Sequence, residues 1–122
     1  MGELKTYEDL VVWQKAYELA KQIYITTKDF PSDEKYGLIS QIRRAAVSVP
    51  SNIVEGFARK GIKDSSNFYV IASASLEELK FQIKFSKDLG YLTDEHYKTL
   101  KEAMEEAGRL LGGWMRSQSI RN

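Results

Sequence analysis

A proline in the middle of a helical repeat of apolar residues constrains this chain more than any other feature. The repeat places apolar side chains three or four residues apart, on one face of an α-helix: Leu38, Ile42, Ala45, Val49, Ile53 and Phe57. Pro50 lies inside this run, has no N–H group and crowds the carbonyl of Ala46, which costs a helix about 3 kcal/mol when nothing compensates. The sequence therefore predicts a buried helix that bends or opens near Pro50.

Short polar side chains surround this proline. They are able to hydrogen-bond backbone groups that the proline leaves unpaired. Glu55 stands four residues before Arg59, which is the spacing of an ion pair on a helix. We therefore predict a structural role for the motif Ser48, Pro50, Ser51, Asn52, Glu55 and Gly56. A small polar active site built on Asn52 and Glu55 is the competing interpretation.

Three further amphipathic segments are bounded by capping and breaking residues. Thr6 is expected to cap the first helix, which ends before Pro31, and Ser32 to cap the second, which runs to about Arg59. Asp64 or Ser65 is expected to cap the third, which Gly90 ends, and Thr93 the fourth.

The segments predict an all-α fold in a single domain spanning residues 1–122. A chain of 122 residues buries about two-thirds of its unfolded surface, which is enough for one core. No alternating run is long enough to indicate a strand. Because short connections favour antiparallel neighbours, we expect an up-down-up-down antiparallel four-helix bundle with a proline kink in helix two.

The residues that most chemistry requires are scarce. The chain has no cysteine and one histidine, His96, which stands at a polar helix start, where a solvated role is typical. The acidic groups Glu77-Glu78 and Glu102-Glu105-Glu106 lack the Glu-x-x-His pairs of di-metal bundles. We therefore predict no catalytic residue, no metal, no cofactor and no enzymatic activity. The lack of a signal segment or a long apolar run predicts a cytoplasmic protein without a membrane span.

Several stretches carry a family resemblance. The run YGLISQIRRAAVSVPSNIVEGFAR, with DLVVWQKAYELA before it and LEEL and LGYL after it, resembles a bacterial family of four-helix bundles. That family includes proteins encoded within intervening sequences of 23S rRNA genes and is similar to accessory proteins of diversity-generating retroelements. The resemblance implies a ring-like homo-oligomer, with a pentamer as the expectation, an association with nucleic acid, and a partner such as a reverse transcriptase.

Surplus apolar residues also predict self-association. Tyr69, Phe81 and Phe85 are expected to lie off the inward stripe of helix three, while Val11, Val12 and Tyr24 widen that of helix one. One bundle core has difficulty hiding all of them, and exposed apolar surface usually marks an interface. We therefore predict Tyr69, Phe81 and Phe85 as interface residues.

Basic residues cluster between positions 41 and 63, where Glu55 is the only acidic residue. The cluster comprises Arg43, Arg44, Arg59, Lys60 and Lys63. A net charge of +1 conceals it, but repetition around a ring would create a continuous basic surface for the RNA or DNA backbone. Carboxylates such as Glu77 and Glu78, or acids on a neighbouring subunit, are alternative partners for these side chains. The alternative function is a structural or protein-binding scaffold.

Overall fold

The computed structural model describes residues 3–120, and α-helices account for most of them. They are α1 (Val11–Thr27), α2 (Leu38–Ala58), α3 (Ile62–Asp88) and α4 (Asp94–Ile120), and two short 3-10 turns stand at Tyr7–Asp9 and Ser32–Glu34. No strand occurs among the described residues. The predicted all-α four-helix class is therefore confirmed.

The first two helices begin later than predicted. Thr6 does cap a turn, since its Oγ1 accepts from the Glu8 N–H at 3.1 Å, but that turn is the 3-10 segment before α1. Ser32 opens the second 3-10 segment instead of capping α2. Gly37 has φ −114° and ψ −106°, which is not helical, so α2 starts only at Leu38.

The later helix ends follow the sequence more closely. Gly90 has φ +84° and terminates α3, with the Tyr91 N–H donating to the Ser86 carbonyl at 3.0 Å. The Thr93 hydroxyl accepts from the His96 N–H at 3.0 Å and so caps α4. The start of α3 differs from the prediction, because it follows Gly61 directly and no side chain caps it.

The α2–α3 pair is joined by a short connection and closely packed. The Oγ atoms of Ser48 and Ser75 are 2.7 Å apart, and further along α2 the backbone of Gly56 meets the ring of Tyr69. The contacts advance along α2 while they run backwards along α3, so these two helices are antiparallel. Small side chains on both helices, such as those of Ala45 and Ala72, permit the close approach.

The fourth helix packs against both α1 and α3. The contacts again run in opposite directions along each pair: Thr26–His96 and Lys15–Glu106 join α1 to α4, and Lys87–Tyr97 and Tyr69–Trp114 join α3 to α4. Side chains from all four helices fill the space between them, among them Ile23, Ile42, Leu79 and Met104. Each such side chain contributes about 1.5–3 kcal/mol of burial.

Pro50 is buried within α2, which is helical on both sides of it. The expected bend at this residue stays a prediction. Asn52 Nδ2 donates to the Ser48 carbonyl at 2.8 Å and contacts Ser48 Oγ at 3.0 Å. Within residues 3–120 no side chain donates to the Ala46 carbonyl, so the predicted compensation at that group is not seen. Asn52 instead contacts Ser48, whose Oγ atom joins α2 to Ser75 of α3.

Candidate nucleic-acid interface

The connection between α2 and α3 concentrates positive charge at a helix start. We call Arg59–Lys63 the basic loop; it comprises the three connecting residues and the first two residues of α3. Lys60 and Lys63 are exposed, and neither forms an ion pair with any described residue. Because Gly61 supplies no side-chain cap, the first N–H groups of the 27-residue α3 have no side-chain acceptor. Such a helix end attracts anions, although Asp64 in the first turn offsets part of this attraction.

Arg59 is held in place by two neighbours. Its Nη2 donates to Glu55 Oε1 at 3.0 Å, which confirms the predicted i,i+4 pair, and its guanidinium lies 4.5 Å from the ring centroid of Phe68. Both partners of the ion pair remain exposed. An exposed pair of this kind contributes little to stability, so Arg59 keeps N–H groups that can contact a phosphate.

A polar cavity of about 310 Å³ lies beside the basic loop. Its wall includes Gly56, Arg59, Lys60, Ser65, Tyr69 and Gln118. Ser65 Oγ donates to the Arg59 carbonyl at 3.4 Å, which ties the loop to α3. Burial raises the pKa of the Tyr69 phenol, so this side chain stays protonated and uncharged at physiological pH. The sequence did not point to Gln118, because nothing in it shows that the end of α4 lies beside the connection between α2 and α3.

Arg43 faces a different part of the molecule. Its Nε donates to Thr27 Oγ1 at 2.9 Å, its Nη2 donates to the Tyr24 carbonyl at 3.1 Å, and its guanidinium lies 4.5 Å from the Tyr24 ring centroid. The guanidinium thus satisfies the carboxyl end of α1, where cations are favoured. The suggested partners Glu77 and Glu78 do not pair with Arg43, since a carbonyl and a hydroxyl hold it, while an acid on a neighbouring subunit stays a prediction.

Arg44 is exposed but lies far from the basic loop. It lines a cavity of about 260 Å³ between α2 and α3, together with Ser48, Ser75 and Glu78. Fifteen residues of helix separate it from Arg59, which corresponds to about 22 Å along the axis. The structure therefore brings together Arg59, Lys60 and Lys63 and leaves Arg43 and Arg44 apart from them.

The predicted interface residues also separate into two groups. Phe81 and Phe85 are exposed on α3, and their rings stack with centroids 5.9 Å apart. Tyr69 is only 2% exposed, so its assignment to an outer face is wrong. The absence of a side chain at Gly56 opens a recess into which the Tyr69 ring fits.

A second surface was only partly visible in the sequence. A cavity of about 600 Å³, which we call the α1–α2 groove, lies between these helices and is largely apolar. Its lining includes Trp13, Tyr17, Tyr24, Ile25, Val47 and Val54. Of the residues expected to widen helix one, Tyr24 lines the groove and Val11 is exposed, whereas Val12 is buried in the core. The sequence places Val11, Val12 and Tyr24 on a single helix, and it does not show that α2 forms the second wall of the groove.

The remaining candidates for chemistry have structural partners. His96 Nε2 is 3.1 Å from Thr26 Oγ1 and so links α4 to α1. Glu77 pairs with Lys80 at 2.8 Å, and Glu106 with Lys15 at 3.8 Å. No group of three possible metal ligands occurs among residues 3–120. In the same part of the chain, no helix combines the length and apolarity that a bilayer crossing requires.

The sequence model of the 23S rRNA-intervening sequence protein family matches residues 8–113. The chain belongs to this family. A solved structure with a similar fold is that of a protein of unknown function from the S23 ribosomal protein family of Bacteroides thetaiotaomicron. It superposes with a TM-score of 0.80 at 25% identity, covering 87% of this chain and 96% of that chain. No curated protein matches the chain. The family resemblance seen in the sequence is confirmed, and neither description names an enzymatic activity.

Proposed function

We propose that this 23S rRNA-intervening sequence protein is a non-enzymatic accessory protein that binds the backbone of RNA or DNA through its basic loop. The observation that carries the proposal is the position of Lys60 and Lys63. Both are exposed and free of ion pairs among the described residues, and both stand at the uncapped start of a long helix. The family's link to an rRNA gene supports a nucleic acid as the ligand.

The basic loop suits phosphate rather than bases. Lys60 and Lys63 supply mobile point charges, the first N–H groups of α3 offer hydrogen bonds, and Arg59 supplies a guanidinium held by Phe68 and Glu55. No helix face presents a row of base-reading side chains at this point. Binding is therefore weakly selective for sequence and strongly dependent on salt.

Homo-oligomerisation multiplies this modest charge. A single copy has a formal net charge of +1, but a ring repeats the basic loop around its axis. We propose a closed ring, a pentamer, that acts in the cytoplasm. Exposed apolar side chains on α1, α2 and α3 support the assembly.

Three residues with catalytic potential have partners that support a non-enzymatic role. Glu55 pairs with Arg59, Asn52 donates to the Ser48 carbonyl, and His96 contacts Thr26. Catalysis needs a nucleophile or base that is free to meet a substrate. A metal enzyme that loses activity on Glu55→Gln would contradict this part of the proposal.

A titration with labelled duplex DNA and structured RNA at low salt tests the function. The wild type is expected to bind both, and Lys60→Glu/Lys63→Glu to bind at least tenfold more weakly. Lys98→Glu/Lys101→Glu makes the same change in charge at exposed positions on α4, and it should leave the affinity within about twofold. Failure of the wild type to bind either nucleic acid would overturn the proposal.

The α1–α2 groove favours a second candidate, a scaffold that binds another protein. The groove is a cavity of about 600 Å³ with a largely apolar lining, which suits the apolar face of a helix. A partner such as a reverse transcriptase fits this alternative. Capture of that enzyme by wild type, but not by Val47→Glu, together with no nucleic-acid binding, would favour the scaffold.

A further inference from the structure

Two exposed apolar surfaces lie on different helices of the same chain. The α1–α2 groove is a concave surface whose edge residue Ile25 is 63% exposed. The Phe81–Phe85 pair is a convex surface on α3, where Phe81 is 64% exposed. The two phenylalanines stand one turn apart and stack, so they form a single apolar ridge.

We infer that the Phe81–Phe85 pair of one copy seats in the α1–α2 groove of the next copy. The inference rests on the proposed homo-oligomer and names the surfaces that join its subunits. Because the contact joins two different surfaces, it is heterologous, and an open chain of copies keeps one unfilled groove at one end and one free ridge at the other until a ring closes.

The chemistry of the groove favours an apolar side chain over a nucleobase. The Tyr17 ring already stacks on Trp13, with centroids 4.8 Å apart, and Lys21 Nζ lies 5.1 Å from its centroid. The Tyr24 ring is contacted by Arg43. With these rings engaged, the groove offers little free aromatic face for base stacking, which single-strand binding requires.

Charges beside the two surfaces complement each other. Lys28 lines the groove, is exposed and has no anionic partner among residues 3–120. Glu78 precedes Phe81 by three residues and is exposed. Its carboxylate accepts from Gln82 Nε2 at 3.1 Å and lines a cavity with Arg44, but it forms no ion pair in that range. The neighbouring acids differ, since Glu77 pairs with Lys80 and Asp88 with Lys84. A ridge that carries an uncompensated acid thus matches a groove that carries an uncompensated lysine.

Two single variants and their mixture test the seating. Ile25→Glu places a charge in the groove, and Phe81→Glu places one on the ridge. We expect each variant alone to be a folded monomer in light scattering at micromolar concentration, with unchanged circular dichroism. An equal mixture retains one intact groove and one intact ridge, so it should give a species of twice the monomer mass and nothing larger. Tyr36→Glu, at an 88% exposed site outside both surfaces, is the control and should assemble like the wild type.

The other outcomes each contradict the inference. If Ile25→Glu assembles normally while Phe81→Glu does not, the ridge pairs with itself. If both are monomers and the mixture stays monomeric, the two surfaces do not meet. A wild-type monomer removes the assembly altogether, whereas loss of nucleic-acid binding alone leaves these masses unchanged.

A charge exchange tests the same contact. Lys28→Glu should weaken the assembly and Lys28→Glu/Glu78→Lys should restore it, which a contact between other surfaces would not produce.

Discussion

The ring of Tyr69 lies against the backbone of Gly56. A Cβ atom added at Gly56 would stand 2.9 Å from both Cδ1 and Cζ of that ring, closer than real Cβ contacts allow. The aromatic side chain is a rigid part of the core and is contacted on another side by Trp114. The glycine is therefore required for the close packing of α2 on α3, next to the basic loop.

Gly56→Ala should destabilise the protein. Overpacking costs about 1–3 kcal/mol, and alanine in place of glycine in a helix regains about 1 kcal/mol. We expect a net loss of up to about 2 kcal/mol in the free energy of unfolding, measured by urea titration. Gly108→Ala is the control, because its nearest contact, Leu76 Cδ2 at 3.5 Å, leaves room for the methyl group. That variant should gain up to about 1 kcal/mol; equal effects of the two substitutions would contradict the packing argument.

Arg43→Ala should lower stability without changing nucleic-acid affinity. The substitution removes hydrogen bonds to Thr27 Oγ1 and to the Tyr24 carbonyl, at an expected cost of about 1–3 kcal/mol. Arg44→Ala removes an adjacent exposed arginine, and we expect a change within about 0.5 kcal/mol. Thermal and urea unfolding of both variants provide the comparison. An equally small effect at both positions would show that Arg43 does not support the end of α1.

Alkaline pH should destabilise the protein through Tyr69. Burial raises the pKa of its phenol above the ordinary value of about 10, so the folded state favours the protonated form. The resulting stability is complete below pH 10 and is lost as the pH rises through the higher folded pKa. Tyr69→Phe keeps the ring and removes this titration, so its free energy of unfolding should fall less steeply above pH 10. Tyr36→Phe is the exposed control; identical slopes for wild type and Tyr69→Phe would refute the assignment.

Much of the fold could be predicted because apolar periodicity and turn residues act locally. Gly90 and Thr93 fulfil the roles that their types suggest, and the repeat around Pro50 does form a buried helix. The start of α2 could not be read in the same way. Ser32 is a good cap, but the backbone at Gly37 interrupts the helix after it.

The candidate site depended on contacts between helices, which periodicity does not contain. Arg43 and Arg59 look alike in the sequence, yet Arg43 supports the end of α1 and Arg59 is part of the basic loop. Tyr69 seemed to face outward because its partner is a glycine, which carries no apolar side chain to mark the contact. Sequence patterns therefore located the basic cluster but could not identify the hydroxyl and the carbonyl that hold Arg43.

The salt dependence of duplex DNA binding tests the central claim most directly. Each lost phosphate contact should flatten the plot of log Kobs against log salt concentration by about 0.9. Lys60→Glu/Lys63→Glu should therefore reduce the slope by about 1.8 for every loop that contacts the duplex. Lys98→Glu/Lys101→Glu makes the same change in net charge at exposed positions on α4 and should leave the slope unchanged. Equal slopes and affinities for the two double variants, or no binding by the wild type at low salt, would contradict the account.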